Sequence, residues 1–455
     1  MRPQARLWAV AGVVGLGFLV ALEIAARRYG LPGPITTQTR ELWCPPKSGL
    51  LLYAGMALMT MVLTWRQRFV AFGSAIAVDV AFFVVRTACG VTVTEGQPFG
   101  NGALWVLLAH GVVAVTRRTG RERVLLLKGV GLGLLLVAGR KTGDTWLVIT
   151  SKTRPTVLDQ YVATADHALG NPSWAMGRLV TATGPFGFNF LDFVYGQLAV
   201  AAVVVVLWQL RHVAAERRFP RHHLVRSFLV IGLLGPAVYM IYPVVGPVFA
   251  YGTGTEHWAS IALWAPQGPP SAQWAVADLW PRTVPAIQAP RPMGFDAFTP
   301  RNCMPSLHTA WATAIFIHSR KGPRPLRIAG AAWLVATLCA TLGFGYHYGV
   351  DLIAGVVFTL TVEAALRTLD RDWDRTGLRL TAYGAAVFAV LLTSYRWLPL
   401  QMAEHRWLAG PLLLLAMGSM IYAYVRTVRR WEAETVAEAG LPRPRLEPVE
   451  AERAC

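Results

Sequence analysis

Apolar runs long enough to cross a lipid bilayer recur from one end of the chain to the other, separated by short polar connections. A spanning helix needs about 20 mostly apolar residues, because hydrocarbon offers backbone N–H and C=O groups no partner except each other. The pattern predicts an all-α, polytopic membrane protein with about twelve transmembrane helices. The expected spans are 7–26, 48–65, 69–88, 101–116, 124–140, 191–210, 225–244, 306–319, 326–344, 348–366, 380–395 and 409–425. Arg27 and Arg28 follow the first run where a cleaved leader would have small residues, so this run is read as an uncleaved anchor.

Composition agrees with the pattern: 54% of the 455 residues are hydrophobic and 15% charged, with a mean hydropathy of +0.41. The net charge of +18 would point to nucleic acid in a soluble protein, but the basic residues are spread over short loops, which argues against that partner. Counting alternate loops puts Arg66 and Arg68, Arg117 to Arg123, Arg211 to Arg221, Arg320 to Arg327, Arg367 to Arg379 and Arg426 to Arg430 on one side. By the positive-inside rule that side is cytoplasmic, and both termini face it. Arg27, Arg28, Arg40 and Lys47 on the first outer loop break the rule. Five cysteines without a CxxC pair imply neither a disulfide framework nor a metal site. The preference for Arg over Lys, with abundant Ala and Gly, fits a GC-rich bacterial genome, and the expected location is the cell membrane.

Two connections are longer than a tight turn requires. Within 141–190, Val157, Leu158, Tyr161, Val162 and Ala165 fall at helical spacing and predict an amphipathic helix lying in the interface. The segment 245–305 is rich in Pro and has Trp258, Trp264, Trp274 and Trp280, suited to the headgroup layer as a lid or as a plain interfacial loop. Gly129 and Gly133 allow a close helix contact. Asp79 and Arg86 lie seven apart on one helix face, which reads as an ion path or as a structural ion pair shared with Glu23 or Lys128. The tail after Arg430 is polar and expected to be disordered.

Chemistry concentrates in Asn302-Cys303-Met304-Pro305-Ser306-Leu307-His308 and, further on, Tyr346-His347-Tyr348-Gly349-Val350-Asp351. Each stretch sits where an outer loop enters a span. Pro305 suits a first helical turn with Asn302 as a nearby cap. Two helices starting at one face direct their N-terminal dipole ends toward a common anion. His347 and Asp351, at i and i+4, let the carboxylate fix the imidazole tautomer, and His308 can serve as the acid for a leaving oxygen. Each residue alone is an ordinary interfacial feature; their conjunction is what points to catalysis. A metal held by these three lacks an obvious fourth ligand, so no metal or other cofactor is expected.

Pro305-Ser306-Leu307-His308 and His347-Tyr348-Gly349-Val350-Asp351-Leu352-Ile353-Ala354-Gly355 resemble the paired motifs of the type 2 phosphatidic acid phosphatase (PAP2) superfamily, in particular its inositol phosphorylceramide synthase-like branch. Tyr242-Pro243-Val244-Val245-Gly246-Pro247 also resembles a segment of that branch. The resemblance covers roughly 124–370. It implies a six-helix catalytic core, a metal-free phosphohistidine mechanism and a membrane lipid phosphate as substrate. His347 would be the nucleophile, Asp351 its orienter, and His308 the acid and base. The superfamily's Lys-x6-Arg-Pro element is missing, Ala340-Thr341 replaces the Ser-Arg pair before the second His, and Leu307 replaces a Gly. Ser306, Arg301, Asn302, Tyr242 and Tyr346 are the candidates for phosphate contacts in their place. The expected organisation is an N-terminal transmembrane region 1–123, the core 124–370, a helix pair 371–430 and the tail 431–455. The activity expected is lipid phosphotransfer, with phosphoinositol transfer the specific form, or dephosphorylation of a polyprenyl or phosphatidic-type lipid. A transporter is the rival class, which the lack of internal repeats and the interfacial position of the motifs disfavour.

Overall fold

A computed structural model describes residues 3–91, 96–251, 291–294 and 301–438. The N-terminal part comprises α1 (Pro3–Arg28), α2 (Pro34–Arg40), α3 (Gly49–Thr60), α4 (Trp65–Ala88), α5 (Asn101–Thr116) and α6 (Gly120–Thr153). A short strand β1 (Thr156–Val157) leads to α7 (Asp159–Asp166), a 3-10 turn at His167–Leu169, α8 (Pro172–Ala182), α9 (Gly184–Gly196), α10 (Leu198–Leu210) and α11 (Val213–Glu216). Then come α12 (Leu224–Ile241), α13 (Pro247–Tyr251) and β2 (Arg291–Pro292), which pairs antiparallel with β1. The rest is α14 (Leu307–Ser319), α15 (Arg324–Gly343), α16 (Gly349–Asp370), α17 (Arg375–Trp397), α18 (Pro399–Glu404) and α19 (Arg406–Glu438).

Among the described residues, seven helices are long and apolar enough to cross a membrane, and α3 and α5 are shorter apolar helices. The sequence pattern gave about twelve spans, and the differences have local causes. α6 runs through the expected end at residue 140 as one helix of 34 residues, about 50 Å long at 1.5 Å per residue, and its basic residues keep it out of the apolar set. The expected span 191–210 is interrupted at Gln197, between α9 and α10. α14 has 13 residues, about 20 Å, too short to cross by itself.

α16 is the central helix. Of its apolar window 83% is buried inside the protein, against 17% for α4, whose flanks face outward. It packs on α14, α17, α19 and α12. Gly355 allows the tight approach to α14: a Cβ there would lie 2.7 Å from the Ser306 carbonyl. Two apolar cores meet along it. One joins α3 to α6 with α10, α12 and α14, and the other joins α7, α17 and α19 to the start of α16. The expected close contact at Gly129 and Gly133 lies in the first core, where a Cβ on Gly133 would sit 2.4 Å from the Gly55 carbonyl of α3.

Two expectations are corrected. The run 157–165 is not an interfacial helix with one wet face. α7 is eight residues long and buried except at the partly buried Gln160, with Asp159 and Asp166 buried, and its apolar residues join the second core. Asp79 and Arg86 do not pair with each other. The Asp79 carboxylate accepts the Tyr53 hydroxyl at 2.7 Å and the Gly100 and Gly102 N–H groups at 2.8 Å each. Arg86 donates to the Trp43 carbonyl and to Asn101. Glu23 pairs with Arg27 and accepts N–H groups at the start of α2. The four tryptophans at 258, 264, 274 and 280, and the tail beyond residue 438, lie outside the described residues.

Candidate active site

The N-terminus of α14 is fixed by Ser306, a fully buried N-cap whose hydroxyl accepts the Thr309 N–H at 3.3 Å. The cap is therefore Ser306 rather than Asn302, and Pro305 precedes the helix instead of opening it. His308 falls in the first turn and is partly exposed. At α16 the N-cap is Tyr348, and the Asp351 carboxylate reaches back to accept the Tyr348 N–H at 2.8 Å. His347 stands just before the cap, not inside the helix. The carboxylate that closes the cap thus also faces His347, with Oδ2 3.5 Å from Nδ1. Helix capping and tautomer control are one arrangement.

With Nδ1–H directed at Asp351, the lone pair of a neutral His347 is on Nε2. His308 approaches across the gap between the helices, the two ring centres 6.5 Å apart. Its Nδ1 lies 3.1 Å from the Tyr195 hydroxyl of α9, and the two rings stack at 4.0 Å. A hydroxyl donated to Nδ1 leaves the imidazole proton on Nε2, the form that can protonate a leaving group. Sequence reasoning missed Tyr195, which lies in an apolar run whose break at Gln197 went unseen. It also passed over Cys303, whose thiol contacts Asp351 Oδ2 at 2.6 Å, the Tyr346 carbonyl at 3.3 Å and His347 Nδ1 at 3.4 Å. Burial first, and the Asp351 charge second, push the Cys303 thiol pKa upward, so it stands as a neutral thiol donor.

The support beneath these groups comes from α7. Asp159 accepts the Val245 and Gly246 N–H groups at 3.0 and 2.8 Å and the Tyr348 hydroxyl at 3.0 Å, tying the 242–247 segment to α16. Gly246 has φ +99°, and a Cβ on it would lie 2.2 Å from the Tyr346 carbonyl, so glycine alone permits that approach. Asp166 accepts the Val350 N–H at 3.0 Å. Burial raises both carboxyls, Asp159 to about 7 and Asp166 to about 8, with the Asp351 charge adding to each.

The five candidate phosphate contacts are placed unequally. Tyr346 is half-buried, its ring 5.1 Å from that of Tyr195. Asn302 is half-buried. Ser306 caps α14. Arg301 is buried and donates to the Met293 and Gly294 carbonyls at 2.9 and 3.2 Å. Tyr242 is buried at the end of α12, its hydroxyl without a hydrogen-bond partner among the described residues.

Among the described residues, two sets of side chains bring three metal-ligand atoms within 4.8 Å of one another. One is Cys303, His347 and Asp351, and the other is His222, His318 and Glu363. In the second set His318 Nδ1 faces the Gln209 side-chain nitrogen at 2.9 Å, while Gln209 Oε1 accepts the Leu224 N–H at 3.0 Å. That amide orientation puts the His318 proton on Nε2, which donates to Glu363 at 3.0 Å.

Comparison with known proteins matches two segments of the chain. Residues 160–365 match the family model of the PAP2 superfamily. Residues 6–149 match a domain of unknown function (DUF5933). No curated protein and no solved structure matches. The PAP2 match contains Tyr195, His308, His347 and Asp351, and it suggests a lipid phosphatase or phosphotransferase. It does not reach the inositol phosphorylceramide synthase-like branch.

Proposed function

We propose that the chain is a membrane lipid phosphotransferase or phosphatase that works through a phosphohistidine on His347. The observation that carries this reading is the facing of two histidines, each held at Nδ1: His347 by Asp351 and His308 by Tyr195. The match of this stretch to the PAP2 superfamily supports it. A headgroup phosphate would settle between the N-termini of α14 and α16, whose dipoles favour an anion. His347 Nε2 attacks phosphorus while the bond to the leaving oxygen breaks and His308 Nε2–H protonates that oxygen. His308, now a base, takes the proton of the acceptor hydroxyl. That oxygen attacks phosphorus and frees His347. No metal enters these steps.

The acceptor decides the reaction class: a lipid or polyol hydroxyl gives transfer, water gives hydrolysis. Phosphoinositol transfer within a core of six helices, with the site on the extracytoplasmic face and both termini inside, is the specific form that we favour; it rests on the motif resemblance and the loop charges. The test follows headgroup release by purified protein from phosphatidylinositol and phosphatidic acid, with and without ceramide or diacylglycerol. Headgroup on the added acceptor establishes transfer, and free phosphate establishes hydrolysis. His347→Ala should abolish both; activity unchanged by that substitution overturns the mechanism. Substrate uptake into vesicles that survives loss of both histidines would make the chain a transporter instead.

A further inference from the structure

The phosphohistidine steps make no use of the Cys303 thiol, although it lies beside both His347 and Asp351. Its Sγ is 2.6 Å from Asp351 Oδ2 and 3.4 Å from His347 Nδ1, and those two atoms are 3.5 Å apart. All three residues are buried. A thiol sulfur, an imidazole nitrogen and a carboxylate oxygen are the donors that zinc takes, with bonds of about 2.0–2.3 Å, and at tetrahedral angles such bonds set neighbouring donors roughly 3.4–3.6 Å apart. Two of the three separations already have that size. The third is short because the thiol proton draws Sγ and Oδ2 together, and exchanging that proton for an ion needs it to open by about 1 Å.

The donors are held in place before any ion arrives. The Cys303 N–H donates to the Val244 carbonyl at 2.9 Å. His347 is fixed on both sides, its N–H donating to the Thr341 carbonyl at 3.2 Å and its own carbonyl accepting the Ser173 hydroxyl at 2.6 Å. Asp351 is held by the cap it makes with the Tyr348 N–H. A set so arranged loses little freedom on binding. Its charges balance as well: one thiolate and one carboxylate neutralise a divalent ion, which lowers the cost of burying it. The sequence hid this grouping, since Cys303 and His347 are 44 positions apart and the ligand pairs legible in a sequence are only a few residues apart.

We propose that Cys303, His347 and Asp351 bind a thiolate-seeking divalent ion of the zinc type, with water as the fourth ligand, and that the ion switches the enzyme off. On binding, the thiol gives its proton to solvent, Sγ bonds to the ion, and the ion takes the Nδ1 lone pair of His347. The imidazole proton then resides on Nε2, so the nitrogen that attacks phosphorus has no lone pair to give. Magnesium and calcium, which prefer oxygen donors, should not compete. The binding stands apart from the phosphohistidine reading; the switch rests on it.

The test uses the purified full-length protein in neutral detergent, in buffer without chelators. Zinc is titrated against a chromophoric chelator, cobalt(II) reports its ligands through its absorption spectrum, and magnesium is the control. Zinc should bind at the site with one equivalent, and cobalt should give a thiolate charge-transfer band. The cluster of His222, His318 and Glu363 has no sulfur, so cobalt held there gives no such band. Cys303→Ala should lose the band and weaken zinc binding by about 100-fold or more, beyond the roughly 10–100-fold cost of losing a residue that merely supports a ligand. Asp351→Asn, which keeps the size of the side chain, should weaken binding in the same direction and carries the test if the first variant fails to fold. Headgroup release should fall as zinc fills the site and return with EDTA, while the activity that Cys303→Ala retains should not respond to zinc at those concentrations. A thiolate band that survives Cys303→Ala, or equal zinc affinity in the wild type and both variants, overturns the site. Stoichiometric binding with no effect on His347-dependent release overturns the switch. Stoichiometric binding in a protein without His347-dependent release leaves the site standing and sinks the phosphohistidine reading instead.

Discussion

α14 and α16 bring histidine and carboxylate together twice, once at each end of their contact. At the start of α16 the groups are His308, His347 and Asp351; toward its end they are His318, His222 and Glu363. His308 and His318 are ten residues apart on α14, about 15 Å along the axis. The residue types are alike, and the difference is in what each end leaves unsatisfied. Both ring nitrogens of His318 are engaged, by Gln209 and Glu363, and Glu363 also accepts the His222 ring at 2.8 Å and the Ser227 hydroxyl. Cations balance the acids there, Arg367 lying 3.6 Å from Glu363 and Arg226 2.6 Å from Asp370. At the other end one nitrogen of each histidine is held, and among the described residues the other makes no hydrogen bond. A buried polar cluster whose central carboxylate is matched on both oxygens is a clamp; one whose two histidines each keep a nitrogen without a hydrogen bond among the described residues is a place for a substrate.

The largest effect should come from exchanging those roles. Glu363→Ala strands two histidines and an arginine in the interior and should lower unfolding stability by about 3–5 kcal/mol, while the surviving folded protein keeps its turnover per molecule. Asp351→Asn should do the reverse. It frees the His347 tautomer and should cut turnover by about 10²–10⁴-fold with a melting temperature close to wild type. Thermal unfolding and single-turnover assays on both variants decide it. A Glu363 variant that loses turnover without losing stability would dissolve the distinction between clamp and site.

A smaller pair of substitutions sharpens the same contrast through the groups that orient each histidine. Tyr195→Phe removes one hydrogen bond at His308 and should lower turnover by about tenfold, the kinetic equivalent of roughly 1.4 kcal/mol, with a shifted pH profile and an unchanged fold. Gln209→Leu removes the matching bond at His318 and should cost about 1 kcal/mol of stability with no change in turnover. Equal effects on turnover from the two would mean that the clusters are coupled.

What could be read in the sequence followed from spacing. His308 and His347-x3-Asp351 are local patterns next to apolar runs, so their place at helix starts was legible. The exact cap was not, because Ser306 and Asn302 are both good capping residues and only the packing of Gly355 against Ser306 settles where α14 begins. Tyr195 meets His308 across a sequence separation of 113 residues, and Asp159 meets Tyr348 across 189; no periodicity reports such contacts. The short α7 misled for a related reason. Its apolar spacing is that of an amphipathic helix, but α18, α17 and α16 cover its polar side as well. Seven of the described helices have the length and composition of a crossing, because apolar composition continues across a break at Gln197 and α14 stops short of a full crossing.

The smallest expected effect tests the imbalance of charge itself. Asp159 and Asp166 lie under the site with no salt-bridge partner among the described residues, unlike Asp370 beside Arg226. Burial, aided by the Asp351 charge, raises Asp166 from its ordinary 3.8 to about 8 and Asp159 to about 7. Between the ordinary and the raised values the folded protein holds protons that the unfolded chain has released. Stability then falls as pH rises from about 4 through about 8 and levels off above, the opposite of a salt-bridged aspartate. Asp166→Asn keeps the oxygen that accepts the Val350 N–H and replaces a titrating group by a neutral one of the same shape. Melting temperatures measured from pH 5 to pH 9 should fall less steeply in this variant than in the wild type, and the two curves should separate most at the alkaline end. Parallel curves would mean that Asp166 is ionised in the folded protein and that a cation answers it after all, which would make the two ends of α16 electrostatically alike.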